Sequence, residues 1–539
     1  MATSDKNITQ QNRYDYDYII IGSGFGGSVS ALRLSEKGYR VLVLEKGKWF
    51  AAEDFPKTNW NIKKWFWFPL VRFFGFFKLT FFRHITILSG VGVGGGSLVY
   101  ANTLPVPKKE FFQSGVWPHL ADWEEELKPF YPVALSTLGA ARNPRLEVGD
   151  IALQKLAGQI GKSEHFEGTD VAVFFGEPEV TVDDPYFDGK GPQRAGCRFC
   201  GACMIGCRYN AKNTLDKNYL YLAQQNGVKI QAESEVCDVQ PLNHRNGSDG
   251  YRVKWKRSVS YLKRGGEYRC LGVVFAGGVL GTVKLLLKLK KTSLPDLSEK
   301  VGSGIRTNSE SLIGVTTFDK NISFSDGIAI GSILHTDEHS HLEPVRYPSG
   351  SGFWRILMSP MVHGKNIAVR IAGIFADLIR HPIPNLRVYF VWNWARRTQI
   401  LLFMQTLDST LRFSKGLFGM KSSMEKGKSP SAFIPEAKVL AEKYADLVDG
   451  KPTVLLTETL GGIPTTAHIL GGCVMGRNAE EGVIDKDNRV FGYKNLLVCD
   501  GSMISANPGV NPSLTITALT ERAMSKIPSK TEDNLPSDN

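Results

Sequence analysis

Asp17-Tyr18-Ile19-Ile20-Ile21 runs straight into Gly22-Ser23-Gly24-Phe25-Gly26-Gly27, and a second apolar run, Val41-Leu42-Val43-Leu44, stops at Glu45. A strand, a glycine turn, a helix over 27–37 and a second strand closed by a carboxylate make a βαβ unit of the kind that binds dinucleotides. Gly22 permits the tight turn, Gly24 leaves room for backbone N–H groups to approach a pyrophosphate, and Gly27 lets the helix close on the strand. The helix N-terminus then favours the phosphate charge. Glu45, eighteen residues past Gly27, is placed to accept hydrogen bonds from a ribose hydroxyl. A glycine turn with no ligand would leave that carboxylate unexplained.

Two more stretches further along have the same glycine-rich texture. Ser89-Gly90-Val91-Gly92-Val93-Gly94-Gly95-Gly96-Ser97 offers a second backbone surface, with Gly95 and Gly96 the candidate contacts. Asn495-Leu496-Leu497-Val498-Cys499 ends on Asp500-Gly501, ahead of a terminal helix that begins after Gly509-Val510-Asn511-Pro512. A strand ending on Asp-Gly beside a helix N-terminus suits a diphosphate or ribityl chain. Three such surfaces so far apart in sequence fit one large cofactor, FAD better than NAD. Asn102 and Val236 complete the candidate cofactor contacts.

Composition sets the class. The chain has 539 residues, 42% of them hydrophobic, and carries a formal charge of +12, enough for a full core and roughly two to four domains. Its Lys and Arg are dispersed, with no basic run and no nucleic-acid module, so nucleic acid is not the expected partner. An anionic membrane surface or an acidic partner fits the charge. Met1 to Arg13 is polar and has no apolar core of a signal peptide, so the expected location is cytoplasmic. There the cysteines read as thiols or metal ligands, not disulfides.

These motifs resemble the glucose-methanol-choline (GMC) oxidoreductases, and within them the bacterial cholesterol oxidase branch. Gly90 to Val99 (GVGVGGGSLV), His468 to Gly476 (HILGGCVMG), Asp500-Gly501-Ser502 and Gly509 to Arg522 (GVNPSLTITALTER) carry the resemblance. It implies an α/β protein: a discontinuous Rossmann-like FAD-binding domain plus an α+β substrate domain built on a β-sheet. The expected divisions are 15–311 and 461–527 for the FAD domain, 312–460 for the substrate domain, and 528–539 as a polar tail. The family commonly has Asn directly after Ser-Leu-Val; here Tyr100 takes that place and Asn102 follows two residues later.

The resemblance also implies catalytic residues. His468 and Asn511 match the His–Asn pair that faces the flavin, where an alcohol hydroxyl is held while its α-hydrogen leaves as hydride. Loss of hydride is easy only if the hydroxyl proton has an acceptor, and an imidazole serves near neutral pH. Glu343, in His339-Ser340-His341-Leu342-Glu343, stands where cholesterol oxidases carry the base for double-bond isomerisation; Glu310 is its rival. The implied reaction is oxidation of a secondary alcohol, a 3β-hydroxysteroid such as cholesterol, with O₂ as acceptor. A dehydrogenase of another bulky or long-chain alcohol using a quinone or protein acceptor is one alternative. A flavin-bearing lipid-binding protein without turnover is another.

Two further segments carry open readings. Cys197, Cys200, Cys203 and Cys207 have the C-x₂-C-x₂-C-x₃-C spacing of a bacterial ferredoxin, with Arg208 in place of the usual Pro; they read as an iron–sulfur site or a structural thiol cluster. Cys237, Cys270, Cys473 and Cys499 sit in apolar or Gly-rich frames and read as core. Residues 65–82 hold ten aromatics among eighteen positions, interrupted by Pro69, Arg72, Gly75 and Lys78, which excludes a spanning helix. They suit either a lipid headgroup boundary or a buried lid over an apolar cavity. The amphipathic run Ile367 to Ile379 belongs with the same entrance.

Overall fold

The computed structural model describes residues 13–260, 264–407, 409–417, 419–426 and 431–531. Most of the expected tail, and all but Arg13 of the N-terminal stretch used to judge export, lie outside the described residues. The glycine-turn strand, Tyr16–Ile21, is central to a seven-stranded sheet in the order Lys229–Gln231, Val41–Leu44, Tyr16–Ile21, Gly265–Phe275, Tyr251–Arg257, Ser234–Pro241. Leu496–Val498 joins beside the end of Gly265–Phe275. The pairings among the first four strands and with Leu496–Val498 are parallel, the last two antiparallel. Ile19, Ile20 and Val43 are wholly buried, as a parallel sheet covered on both faces requires, and each contributes about 1.5–3 kcal/mol by leaving water.

The first helix, Phe25–Glu36, sits so close to this sheet that its second and third residues have no room for a side chain. A Cβ on Gly26 would stand 1.7 Å from the Cys499 carbonyl oxygen, and one on Gly27 2.0 Å from that of Gly22. Gly27 thus plays the packing role read from the sequence, and Gly26 does the same toward the C-terminal strand.

A second seven-stranded sheet is antiparallel throughout, in the order Met358–Pro360, Gly450–Leu455, Ser311–Thr317, Thr398–Gln405, Ser340–Val345, Ser332–His335, Phe166–Gly168. Side chains alternate across it. Leu334, Leu342, Leu401 and Phe403 pack with the helices Val148–Gln159 and Pro435–Leu447, while Val345, Ile400 and Leu402 face a large cavity. The sheet recruits Phe166–Gly168 and the Val148–Gln159 helix from ahead of residue 312, so its layer extends into the range assigned from sequence to the cofactor domain.

A small third sheet, Phe77–Phe81, Thr86–Gly90 and Thr465–Thr466, ties the two halves together. The aromatic stretch divides around it. Trp65, Trp67, Phe76 and Phe77 are buried, whereas Phe68, Leu70, Val71 and Phe81 are exposed. The helices Ile367–Arg380 and Pro382–Phe390 lie outside the substrate sheet and turn Phe375, Ile379, Ile383 and Phe390 to the exterior. Among the described residues no helix is long and apolar enough to cross a membrane.

Candidate active site

One continuous cavity of about 1430 Å³ runs from the first βαβ unit to the substrate sheet. Gly22, Gly24, Glu45, Gly95, Gly96, Val236, Asp500 and Gly501 all line it; Gly27 lies behind the turn and Asn102 is elsewhere. At Gly24 a Cβ would meet nothing within 4 Å, so the backbone at this helix N-terminus faces open space. Gly95 approaches the same turn from across the cavity, where its own Cβ would stand 2.7 Å from the Gly24 Cα. Glu45 is buried and oriented: its carboxylate accepts from Ser23 N (3.1 Å), Ser23 Oγ (2.8 Å) and Gly47 N (2.7 Å). Asp500 accepts from Thr282 Oγ1 at 2.5 Å and from Ser502 N at 2.8 Å, and burial pushes its carboxyl up. A helix N-terminus facing open space, a positioned carboxylate and a long trough between glycine loops fit a dinucleotide.

At the far end of the trough, Thr465–Thr466 pairs with Thr86–Gly90 and delivers His468 to the cavity wall. Thr466 Oγ1 accepts from the His468 backbone N–H at 2.9 Å and donates to Glu310 Oε1. Glu310 Oε2 lies 3.1 Å from His468 Nδ1; a carboxylate only accepts, so the proton belongs on Nδ1 and the Nε2 lone pair faces the cavity. Burial alone would lower the imidazole pKa, but the charge and hydrogen bond of Glu310, with the charge of Glu343, raise it above its ordinary 6.5.

Asn511 Nδ2 is 3.4 Å from His468 Nε2, and its Oδ1 has no hydrogen-bond partner. The segment carrying it hangs from the substrate sheet: Asn507 Nδ2 donates to the Gln405 and Leu407 carbonyls, and Asn308 Nδ2 to that of Val510. An imidazole acceptor with the Asn511 amide N–H beside it forms a seat for one hydroxyl, which donates to the first and accepts from the second.

With that geometry in hand, comparison with known proteins decides the family. Over 96% of its length the chain is 47% identical to a protein of Acinetobacter baumannii named cholesterol oxidase, covering 95% of it. A protein of the same name from Mycobacterium tuberculosis is 42% identical over 96% of this chain and 92% of its own. Residues 433–520 match the family described as GMC oxidoreductase, and residues 20–50 an NAD(P)-binding Rossmann-like domain.

The chain belongs to the GMC oxidoreductase family.

The structure of pyridoxine 4-oxidase from Mesorbium loti shares its fold, with a TM-score of 0.60 at 13% identity over 95% of this chain and 98% of that one.

Other predicted residues of this GMC oxidoreductase fall differently. Asn102 is buried at φ +73° and its carbonyl accepts from Ala172 N at 2.9 Å; Tyr100, Ala101 and Thr103 take its expected place on the cavity. That is a correction: the left-handed turn at Asn102 carries its side chain away from the trough. Glu343 stands on the cavity side of its strand but is wholly covered, whereas its rival Glu310 reaches the cavity beside His468. Sequence reading passed over Thr466, although it lies two residues before His468, and Glu458. The Glu458 carboxyl is buried, and burial, opposed by Thr465 and aided by the charge of Glu310, pushes it up to about 8.

Cys197, Cys200, Cys203 and Cys207 surround a separate cavity of about 20 Å³ with Lys212. All are free thiols, and among the described residues no group of three His, Cys, Asp or Glu is arranged to hold a metal ion. Burial pushes the Cys200 thiol up to about 11 and the Lys212 ammonium down to about 7. Lys212 Nζ donates to the carbonyls of Leu98, Tyr100 and Cys203. Lys212 thereby ties the Cys203 turn to the end of the second glycine loop.

Proposed function

We propose that this GMC oxidoreductase binds FAD and oxidises the hydroxyl of a sterol-class secondary alcohol to the ketone, with dioxygen as the acceptor. One observation carries the reading: the hydroxyl seat at His468 and Asn511 opens onto an apolar chamber walled by Val345, Trp354, Met358, Ile400, Leu402 and Leu455. Such a chamber favours a rigid hydrocarbon body with a single polar end. The relatives named cholesterol oxidase support the same substrate class.

Glu45 and the Gly22–Gly24 turn would hold the adenosine and pyrophosphate, and Asp500, Gly501, Gly95 and Gly96 the ribityl and flavin end. When bound, FAD supplies the two-electron acceptor for the substrate's α-hydrogen. His468 Nε2 accepts the hydroxyl proton while Glu310 keeps Nδ1 protonated and steadies the positive charge that results. Asn511 orients the substrate oxygen, and the apolar walls exclude water. For migration of a 5,6 double bond the carboxylates on this face are Glu310, which reaches the chamber, and Glu343, covered behind it.

The cavity also explains how an insoluble substrate enters. Phe68, Leu70, Phe81 and Leu417 line its mouth and face outward, Leu70 at 84% and Leu417 at 91% exposure. Phe66 packs on Phe353 with centroids 5.3 Å apart, and Arg355 Nη1 donates to the Val391 carbonyl at 3.1 Å. These contacts link the mouth to exposed Ile356, Phe390 and Trp392, an apolar surface fit for a lipid headgroup layer.

Anaerobic mixing of the yellow protein with a panel of 3β-hydroxysteroids and long-chain alcohols tests the reading. Sterols should bleach the flavin, and admitting air should then yield peroxide stoichiometric with ketone. Flavin left oxidised by every sterol would sink the substrate assignment, and reoxidation by quinone but not air would replace dioxygen. Glu343→Gln should leave bleaching intact; accumulation of the unisomerised 5-ene ketone would make Glu343 the base of double-bond migration, and isomerised product would assign that role to Glu310.

A further inference from the structure

Behind the cavity wall, the substrate sheet carries a row of polar side chains with no part in the hydroxyl seat. Along Ser340–Val345 the side chains of His341, Glu343 and Val345 share one face by the period of two, and Val345 lines the cavity. Register sets His335 directly opposite His341, and Glu167 opposite Ile333, two residues from His335. Glu343, His341, His335 and Glu167 therefore follow one face of the sheet from the cavity to its edge strand.

Their distances fit a chain with gaps. Glu343 is wholly buried and neither carboxylate oxygen has a hydrogen-bond partner; Oε1 lies 3.5 Å from His341 Nε2, which is also unpaired. The rings of His341 and His335 are 6.0 Å apart. His335 Nδ1 is unpaired too, and its Nε2 stands 3.8 Å from Oε1 of Glu167, whose side chain is 51% exposed. Buried polar atoms are costly when left unpaired, and bound water is the usual remedy where several converge. At the inner end, the charge of Glu343 is felt at His468. At the outer end, burial, His341 and Lys108 push His335 down to about 4, with Glu167 pulling it up and His165 down, so near pH 7 its ring is neutral and able to accept at one nitrogen and donate at the other.

The chemistry supplies a reason for such a row. As a secondary alcohol becomes a ketone, the C–H bond leaves with its electron pair to the flavin. The O–H pair becomes the second bond of C=O, and one proton remains at His468. Reoxidation by dioxygen takes that proton up again into H₂O₂; between the two half-reactions a sterol filling the apolar chamber would stopper the mouth, so the proton can exchange with solvent only by a way behind the substrate.

We propose that Glu343, His341 and His335, bridged by bound water, form a proton path from His468 to solvent at Glu167. Its direction of use rests on the alcohol-oxidation reading; its existence does not.

The test follows bleaching and acidification together. The FAD-loaded protein is mixed anaerobically with sterol in weak buffer containing a pH-indicator dye, as wild type, His341→Phe and His335→Phe. Wild-type acidification should keep pace with bleaching. In the variants bleaching should stay within about threefold, while acidification trails it by about tenfold or more. Acidification in step with bleaching in both variants overturns the path. His335 is partly exposed, so its variant serves if His341→Phe does not fold. Deuteration at the imidazole C2 position, read by mass spectrometry on the resting protein, needs no turnover. His341 should exchange despite its burial, and complete protection would refute a watered row even if no sterol bleaches the flavin.

Discussion

His468 sits under two opposing influences, burial that disfavours its charge and Glu310 that favours it, and the second prevails. Because the base must be unprotonated to accept the hydroxyl proton, the rate of flavin bleaching should rise with pH through a pKa above the ordinary 6.5 of imidazole. Glu310→Gln removes the charge that raises that pKa, so the acid limb should move to lower pH, measured by stopped-flow profiles of both proteins. An unmoved limb would mean that another group controls it. His468→Ala should slow bleaching by roughly 10²–10⁴-fold with FAD still bound. Glu45→Ala should weaken FAD retention by about 1–3 kcal/mol, roughly 5–150-fold in Kd by fluorescence titration; an unchanged Kd would place the ribose elsewhere. The strand–turn–strand pattern brought Glu45 into view, and the family resemblance brought His468 and Asn511, because each lies in a short, rigid frame. Glu310 was visible only as a rival for another task, since its partnership with His468 is made across 158 positions of chain.

The substrate sheet and its helices are joined at a buried pair. Arg346 Nη2 lies 2.9 Å from Asp150 Oδ2, off the line of a hydrogen bond, with both side chains at most 1% exposed. Asp150 also accepts from Ser332 Oγ at 2.7 Å and from Glu147 N at 2.9 Å. Asp150→Ala should leave a buried guanidinium unpaired and cost about 3–5 kcal/mol in urea unfolding; a loss under about 1 kcal/mol would show that water enters to solvate it. Sequence patterning shows the first βαβ unit cleanly, since apolar runs and glycines lie next to one another there. It shows the substrate sheet less well. The edge strand Phe166–Gly168 is three residues long, and membership is decided by a partner at Ser332–His335, which no local period reveals. The aromatic stretch was legible as apolar, but which rings face inward depends on the Trp67–Phe74 and Phe66–Phe77 contacts.

At the scale of the whole molecule, exposed Phe68, Leu70, Phe81 and Leu417 stand together where the cavity opens, and the +12 charge suits an anionic lipid surface. Phe68, Leu70 and Leu417 exchanged together for Ser should weaken binding to anionic vesicles by about tenfold or more. Turnover of vesicle-borne sterol should fall with it, and turnover in detergent should stay within about twofold. High salt should reproduce part of the loss by screening. Equal failure in detergent would make these residues part of the chamber and not a docking surface. The small sheet of Phe77–Phe81, Thr86–Gly90 and Thr465–Thr466 joins the mouth, the second glycine loop and the base. Its parallel pair closes a loop of about seven-tenths of the chain, the kind of contact whose entropy makes it form late in folding. The newly made polypeptide would thus present the Gly22–Gly24 turn and the second glycine loop before Leu496–Val498, Asp500 and the catalytic end exist, leaving an open interval in which the cofactor can settle before the trough closes over it.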